Sequence, residues 1–178
     1  FQLVSLIVPY EPELADSLIK EELTLSERLD YENGIAQAWQ NRGDHYYQRE
    51  DYAIANEYYY NAMAGFEDSQ NYREAANTLL RILHVFQFSN KAASPEEYEE
   101  LFRYYELTRS WDMLAIAYVL TGYYYNNHDR LPDSSKKYHR LAIETANRAG
   151  LSNLYRAAIY TSAAMAFRNA KEYDSSAQ

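Results

Sequence analysis

Self-similarity at a spacing near forty residues constrains this chain more than any other feature, and it is clearest from Ala36 to Gln70, AQAWQNRGDHYYQREDYAIANEYYYNAMAGFEDSQ. Within that stretch Ala36, Trp39, Gly43, Tyr46 and Tyr47 make the i, i+3, i+7, i+10 stripe of one helix face. A second stripe follows at Tyr52, Ala55, Tyr59, Ala62 and Phe66. Between them Arg49, Glu50 and Asp51 form a short polar break, with Asp51 expected to cap the second helix by accepting a hydrogen bond from its free backbone N–H groups. Two amphipathic helices joined by so short a turn must pack antiparallel. Gly43, Ala55 and Ala62 mark their closest approach, each leaving a hole for an aromatic ring opposite. Alanine is expected to be tolerated at Gly43, because a later copy carries Ala164 there.

The other copies extend the pattern in both directions. Ala76, Leu79, Leu83 and Phe86 take the places of Ala36, Trp39, Gly43 and Tyr46. The helix after them opens with Ser94-Pro95-Glu96-Glu97, a capping serine, proline at the first helical position and glutamate at the third. Its stripe is Tyr98, Leu101, Tyr105 and Thr108. In the third copy Tyr118, Gly122 and Tyr125 match Trp39, Gly43 and Tyr46. An insertion from His128 to Asp133 then lengthens the turn before Ser134, Tyr138 and Leu141, which match Ala55, Tyr59 and Ala62. The fourth copy offers Ala157, Tyr160, Ala164 and Phe167, with Tyr173 expected near the start of a further helix. Going backwards, Pro12 to Leu29 reads as the second helix of an earlier hairpin, and Phe1 to Val8 as the end of its first. The expectation is an all-α fold, an α-α superhelix of about four hairpins over residues 10–30, 31–69, 70–109, 110–149 and 150–178. Both ends fall inside repeats and the chain begins without Met, so it reads as a fragment of a longer protein.

Composition narrows the function classes. Hydrophobic residues make up 47% of the chain with no long polar tract, which argues for an ordered domain. There is no Cys, so disulfides and thiolate zinc sites are ruled out. FQLVSLIV is too short to cross a bilayer, which takes about 20 apolar residues. A net charge of −9 speaks against nucleic acid, where Lys and Arg must neutralise phosphates. The basic cluster Lys136, Lys137, His139 and Arg140 reads as a solvated helix face, and Glu96, Glu97, Glu99 and Glu100 as carboxylates favoured by a helix N-terminus. The histidines have no zinc-helix spacing, the glycines are scattered, and no nucleophile elbow occurs. No catalytic residue, metal or cofactor is expected. Twenty tyrosines stand out: Tyr46, Tyr59, Tyr118, Tyr125, Tyr138 and Tyr160 fall at packing positions, whereas Tyr47, Tyr58, Tyr60 and Tyr123 are free for a binding surface.

The best unit resembles the tetratricopeptide repeat, whose signature reads W-x2-L-G-x2-Y, then A-x3-F and a later A. It stands here as Trp39, Arg42, Gly43, Tyr46, Ala55, Tyr59 and Ala62, with Arg42 in place of Leu and Glu67 where proline is frequent. The resemblance implies a stack whose first helices line a groove that holds a protein or peptide ligand. Carried over by position, the groove residues are Gln40, Asn41, Asp44 and Tyr47, then Asn77, Arg81 and His84, then Tyr123, Asn126 and Asn127, and finally Arg168. Asn and Gln can pair with a peptide backbone, Tyr can cover its apolar side chains, and Arg81 and Arg168 can each take a carboxylate. Gln40 and Asp44 stand where capture of acidic chaperone tails would need Lys and Asn, so that subtype is not expected. A scaffold of this kind implies a cytoplasmic setting, or a periplasmic one within a membrane sensor, and self-association through exposed end faces. The resemblance extends to the sensory or regulatory repeats placed ahead of bacterial histidine kinase or DNA-binding output domains.

Overall fold

The computed structural model describes residues 11–89, 93–127 and 131–176. They form eight helices: α1 (Pro12–Arg28), α2 (Glu32–Gln48), α3 (Tyr52–Asp68), α4 (Tyr72–Phe88), α5 (Pro95–Leu107), α6 (Trp111–Asn127), α7 (Pro132–Arg148) and α8 (Asn153–Ser176). The fold is all-α, a helical repeat in which successive helices pack on one another. The first four helices begin at 12, 32, 52 and 72, so one helix with its turn takes twenty residues and one hairpin forty. Phe1 to Val8 and residues 128–130 of the expected insertion lie outside the described residues. Pro132 and Asp133, read as part of that insertion, are the first turn of α7. Helix α8 runs unbroken to Ser176, so position 173 is not near the start of a further helix.

Turns of three residues, four after α7, close five of these helices, and their hydrogen bonds explain why they can be so short. The second residue is left-handed each time: Asp30, Glu50, Gln70, Arg109 and Gly150, with φ between 51° and 64°. The next residue returns its N–H to the carbonyl five positions back: Tyr31 to Ser26, Asp51 to Tyr46, Asn71 to Phe66, Ser110 to Tyr105 and Leu151 to Ala146, at 2.7 to 3.0 Å. This is the Schellman arrangement, which satisfies the orphan carbonyls of the helix end. In the first, second and third turns that link two helices of the first unit, the chain resumes helix at once; Asp51, for instance, accepts the Ala55 N–H at 2.9 Å. Asp51 does not cap with its side chain as expected. Its backbone lies at φ −80°, ψ 61°, away from the β-region conformation from which a capping side chain reaches the N2 and N3 amides. The box at Ser94 does form: the Ser94 N–H donates to Glu97 Oε2 at 2.8 Å and the Glu97 N–H to Ser94 Oγ at 3.4 Å.

The chain divides into two compact units between Tyr104 and Tyr105. In the first, α2 packs on α1 and α3, and α3 on α4. Helix α3 buries Ala55, Asn56, Tyr59, Ala62 and Phe66, the expected stripe with Tyr52 left half-buried. Burying Tyr59 and Phe66 contributes on the order of 1.5–3 kcal/mol each. Helix α2 buries Ala36 and Gly43 but leaves Trp39, Tyr46 and Tyr47 only half-buried. Trp39 and Tyr46 instead sandwich Tyr58 of α3, with ring centroids 5.5 and 5.4 Å apart and planes within 16° and 11°, and Arg42 lies 5.5 Å over the same ring. Tyr58 is therefore a packing residue and not free for a partner. Tyr60 is 41% exposed and donates to Glu97 at 3.1 Å; burial, then that carboxylate, pushes its hydroxyl pKa up to about 12.

In the second unit α6, α7 and α8 pack on one another. Helix α7 buries Ser135, His139, Ala142 and Ala146, one residue out of step with the expected Ser134, Tyr138 and Leu141. These lie eighty residues after Ala55, Tyr59, Ala62 and Phe66, and His139 fills against Gly122 the hole that Tyr59 fills against Gly43. His139 is thus fully buried and no part of a solvated basic face. Its Nδ1 meets the Ser135 carbonyl at 2.9 Å and its Nε2 the Ser162 hydroxyl at 3.1 Å, and burial holds its pKa below the ordinary imidazole value. On α8 the core residues are Ile159, Ser162, Ala163 and Ala166. Ala157, Tyr160 and Ala164, expected to pack, are exposed.

Candidate functional site

Residues 37 or 38 apart in sequence meet side by side on α2 and α4, which turns the expected groove positions of the first unit into pairs. Gln40 Nε2 donates to Thr78 Oγ1 at 2.7 Å, Arg81 Nε forms an ion pair with Asp44 Oδ1 at 3.0 Å, and Tyr47 Oη shares a hydrogen bond of 3.2 Å with His84 Nδ1. Exposure rises along this series, from buried Gln40 through half-buried Asp44, Arg81 and Tyr47 to exposed His84.

The buried end is a polar ladder across three helices. Asn41 Nδ2 donates to Glu22 Oε2 on α1 at 2.8 Å, Gln37 Nε2 donates to Gln40 Oε1 and Asn41 Oδ1, and Thr78 Oγ1 donates onward to the Glu74 carbonyl. Gln40 and Asn41 are 3% and 0% exposed, so neither faces an open groove as expected. The reason is neighbour chemistry: a buried amide costs little when both ends find partners, and α1 and α4 supply them. Burial raises the pKa of Glu22, opposed by the Asn41 hydrogen bond.

The middle of the series is anchored from below. Tyr59, rising from the α3 core, donates to Asp44 Oδ1 at 2.7 Å, and burial followed by the Asp44 charge holds its hydroxyl pKa well above the ordinary phenol range. The Asp44 carboxylate is thereby fixed between a buried hydroxyl and the Arg81 guanidinium. Asn77, half-buried, donates to Glu74 Oε2 at 3.3 Å.

The exposed end is aromatic. Tyr47, His84, Tyr52 at the start of α3 and Phe88 at the end of α4 form one cluster, with neighbouring centroids 5.2 to 6.2 Å apart. Phe88 is 52% exposed. Tyr52 and Phe88 were not read as site residues; the available signals were Phe88 one helical turn after His84, and Tyr52 just across the short turn from Tyr47.

In the second unit Tyr123 is exposed on α6, with its ring edge-on to His139 at 5.5 Å. Asn126 is half-buried on the same helix, Asn127 is its last residue, and Arg168 is exposed on α8. Among the described residues no three His, Asp or Glu side chains converge as they would around a metal ion, and no helix is long and apolar enough to cross a membrane. No known protein family and no curated protein matches this chain.

Proposed function

We propose that the chain is a non-catalytic binding scaffold of the tetratricopeptide kind, taking an extended protein or peptide segment along the exposed edge of α2 and α4. The observation that supports this reading is the Tyr47, Tyr52, His84 and Phe88 cluster beside the Asp44–Arg81 ion pair. Aromatic rings held by one another lose little side-chain entropy when a partner covers them, and such rings with arginine are the usual anchors of an interface core. The ion pair adds polarity and orientation: Arg81 keeps N–H groups for a second acceptor, and Asp44, pinned by Tyr59, does not move away. Gln40 and Asn41 serve this face from beneath, by holding α1, α2 and α4 in register. Asn77 borders it. Tyr123, Asn126, Asn127 and Arg168 lie in the second unit, and the proposal gives them no part in this cluster.

The test is selection of a displayed peptide library on the wild-type chain, followed by binding of the enriched peptides to a His84→Ala, Phe88→Ala variant of unchanged helicity. Peptides that bind the first and lose about tenfold or more on the second support the site, since two interface anchors each contribute on the order of 1 kcal/mol or more. Equal binding to both, or no enrichment, refutes it.

A further inference from the structure

We propose that the second unit carries a separate site for an organic cation, foremost an arginine side chain, in a cleft of about 400 Å³ between the end of α5 and the α6–α7 hairpin. The size falls within the range of small-ligand pockets. Its walls include Trp111, Leu114 and Tyr118, and its charged groups are Glu106, Glu144 and Arg148.

Three features assign the guest. Trp111 lines the cleft and leaves 42% of its surface in water, an apolar cost that a covering group relieves. The face of a Trp ring attracts cations, and a guanidinium both stacks on a ring and takes a carboxylate in two-point fashion. Glu106 and Glu144 are exposed, and among the described residues neither is held in an ion pair, although Arg148 lies one helical turn from Glu144. The carboxylates therefore keep their capacity for a guest. The Glu106 charge reaches the cleft wall, since it adds to burial in raising the Tyr118 hydroxyl pKa. Arg148 opposes a cation, so the two carboxylates outnumber it by one. The net charge of −9 further favours the approach of cationic ligands.

The site does not rest on the α2–α4 reading, and its test leaves that face untouched. The chain has two tryptophans, so a Trp39→Phe variant isolates the Trp111 fluorescence. The probes are methylguanidinium, a blocked Gly-Gly-Arg-Gly-Gly peptide, and the same peptide with neutral citrulline in place of arginine. Saturable change with the arginine peptide is expected, with the citrulline peptide about tenfold weaker or worse. A peptide much tighter than methylguanidinium identifies a peptide-borne cation, and equal affinities identify a free one; either supports the site. Glu144→Gln should weaken binding about threefold, the scale of one exposed ion pair, whereas Arg148→Gln should strengthen it. Equal response to arginine and citrulline, lack of saturation, or weakening by Arg148→Gln overturns the proposal. Calorimetry on the unaltered chain repeats the arginine-against-citrulline comparison without relying on any variant's folding.

Discussion

Replacing Gly43 by alanine tests the helix packing most directly, because the tertiary structure reverses the sign expected from the helix alone. In an unobstructed helix, glycine to alanine gains about 1 kcal/mol. Here a Cβ built on Gly43 stands 2.5 Å from both Cδ1 and Cε1 of Tyr59, where carbon atoms in contact prefer about 3.5–4 Å. The ring must therefore retreat by about 1 Å or more. Tyr59 is 1% exposed and its hydroxyl holds Asp44, so retreat disturbs the core and that hydrogen bond together. Overpacking of this kind costs roughly 1–3 kcal/mol, and the weakened hydrogen bond adds about 1 kcal/mol. Against the propensity gain, the net expectation is a loss of about 1–3 kcal/mol in urea unfolding followed by circular dichroism. In a Tyr59→Leu background, which removes the ring, the same substitution should cost nothing or stabilise. A stabilisation of about 1 kcal/mol by Gly43→Ala in the otherwise unaltered chain would refute the close approach of α2 and α3.

Glycine placed at the left-handed residues should stabilise, since a side chain there costs roughly 1–2 kcal/mol: Gln70→Gly and Glu50→Gly are each expected to gain about 0.5–1 kcal/mol, while Gly150→Ala loses about 1 kcal/mol. No gain at either position in thermal melts would contradict their φ values of 57° and 64°. Trp39→Ala should cost about 1–2 kcal/mol, as for a half-buried ring losing one stacked neighbour, rather than the 3–5 kcal/mol of a core aromatic; a value of 4 kcal/mol or more would place Trp39 in the core. Burial lowers the pKa of both His45 and His139 below 6.5, so well above 6.5 both are neutral whether folded or not. As pH falls below 6.5 the unfolded chain takes up protons that the folded chain resists, and stability should decline through that window. A His139→Gln variant should show a shallower decline, and an unchanged slope in melts from pH 7 to 5 would show that His139 does not contribute.

Element length and spacing were legible in the sequence because they follow from local physics. Forty-residue self-similarity, the 3.6-residue period of each stripe and the box at Ser94 place the helices within a few residues and make hairpins unavoidable. What local pattern does not contain is the direction each face looks. A helix inside a repeat stack touches its own hairpin partner and the neighbouring hairpin, so two faces are buried and a polar one can be among them. Gln40 and Asn41 read as groove residues because amides look like surface, yet Thr78 and Glu22, 38 and 19 residues away, complete their hydrogen bonds in the interior. The one-residue error on α7 has the same origin: Tyr138 looked like the ring opposite Gly122, but His139 enters that hole because Ser135 and Ser162 satisfy both its nitrogens. Helix content and repeat spacing were thus legible in the sequence alone, through interactions within a few residues, although the start of α7 and the unbroken run of α8 were not. Burial of polar groups, the aromatic edge at Tyr47 and Phe88, and the cleft at Trp111 were decided by tertiary structure, since each depends on partners that only packing brings near.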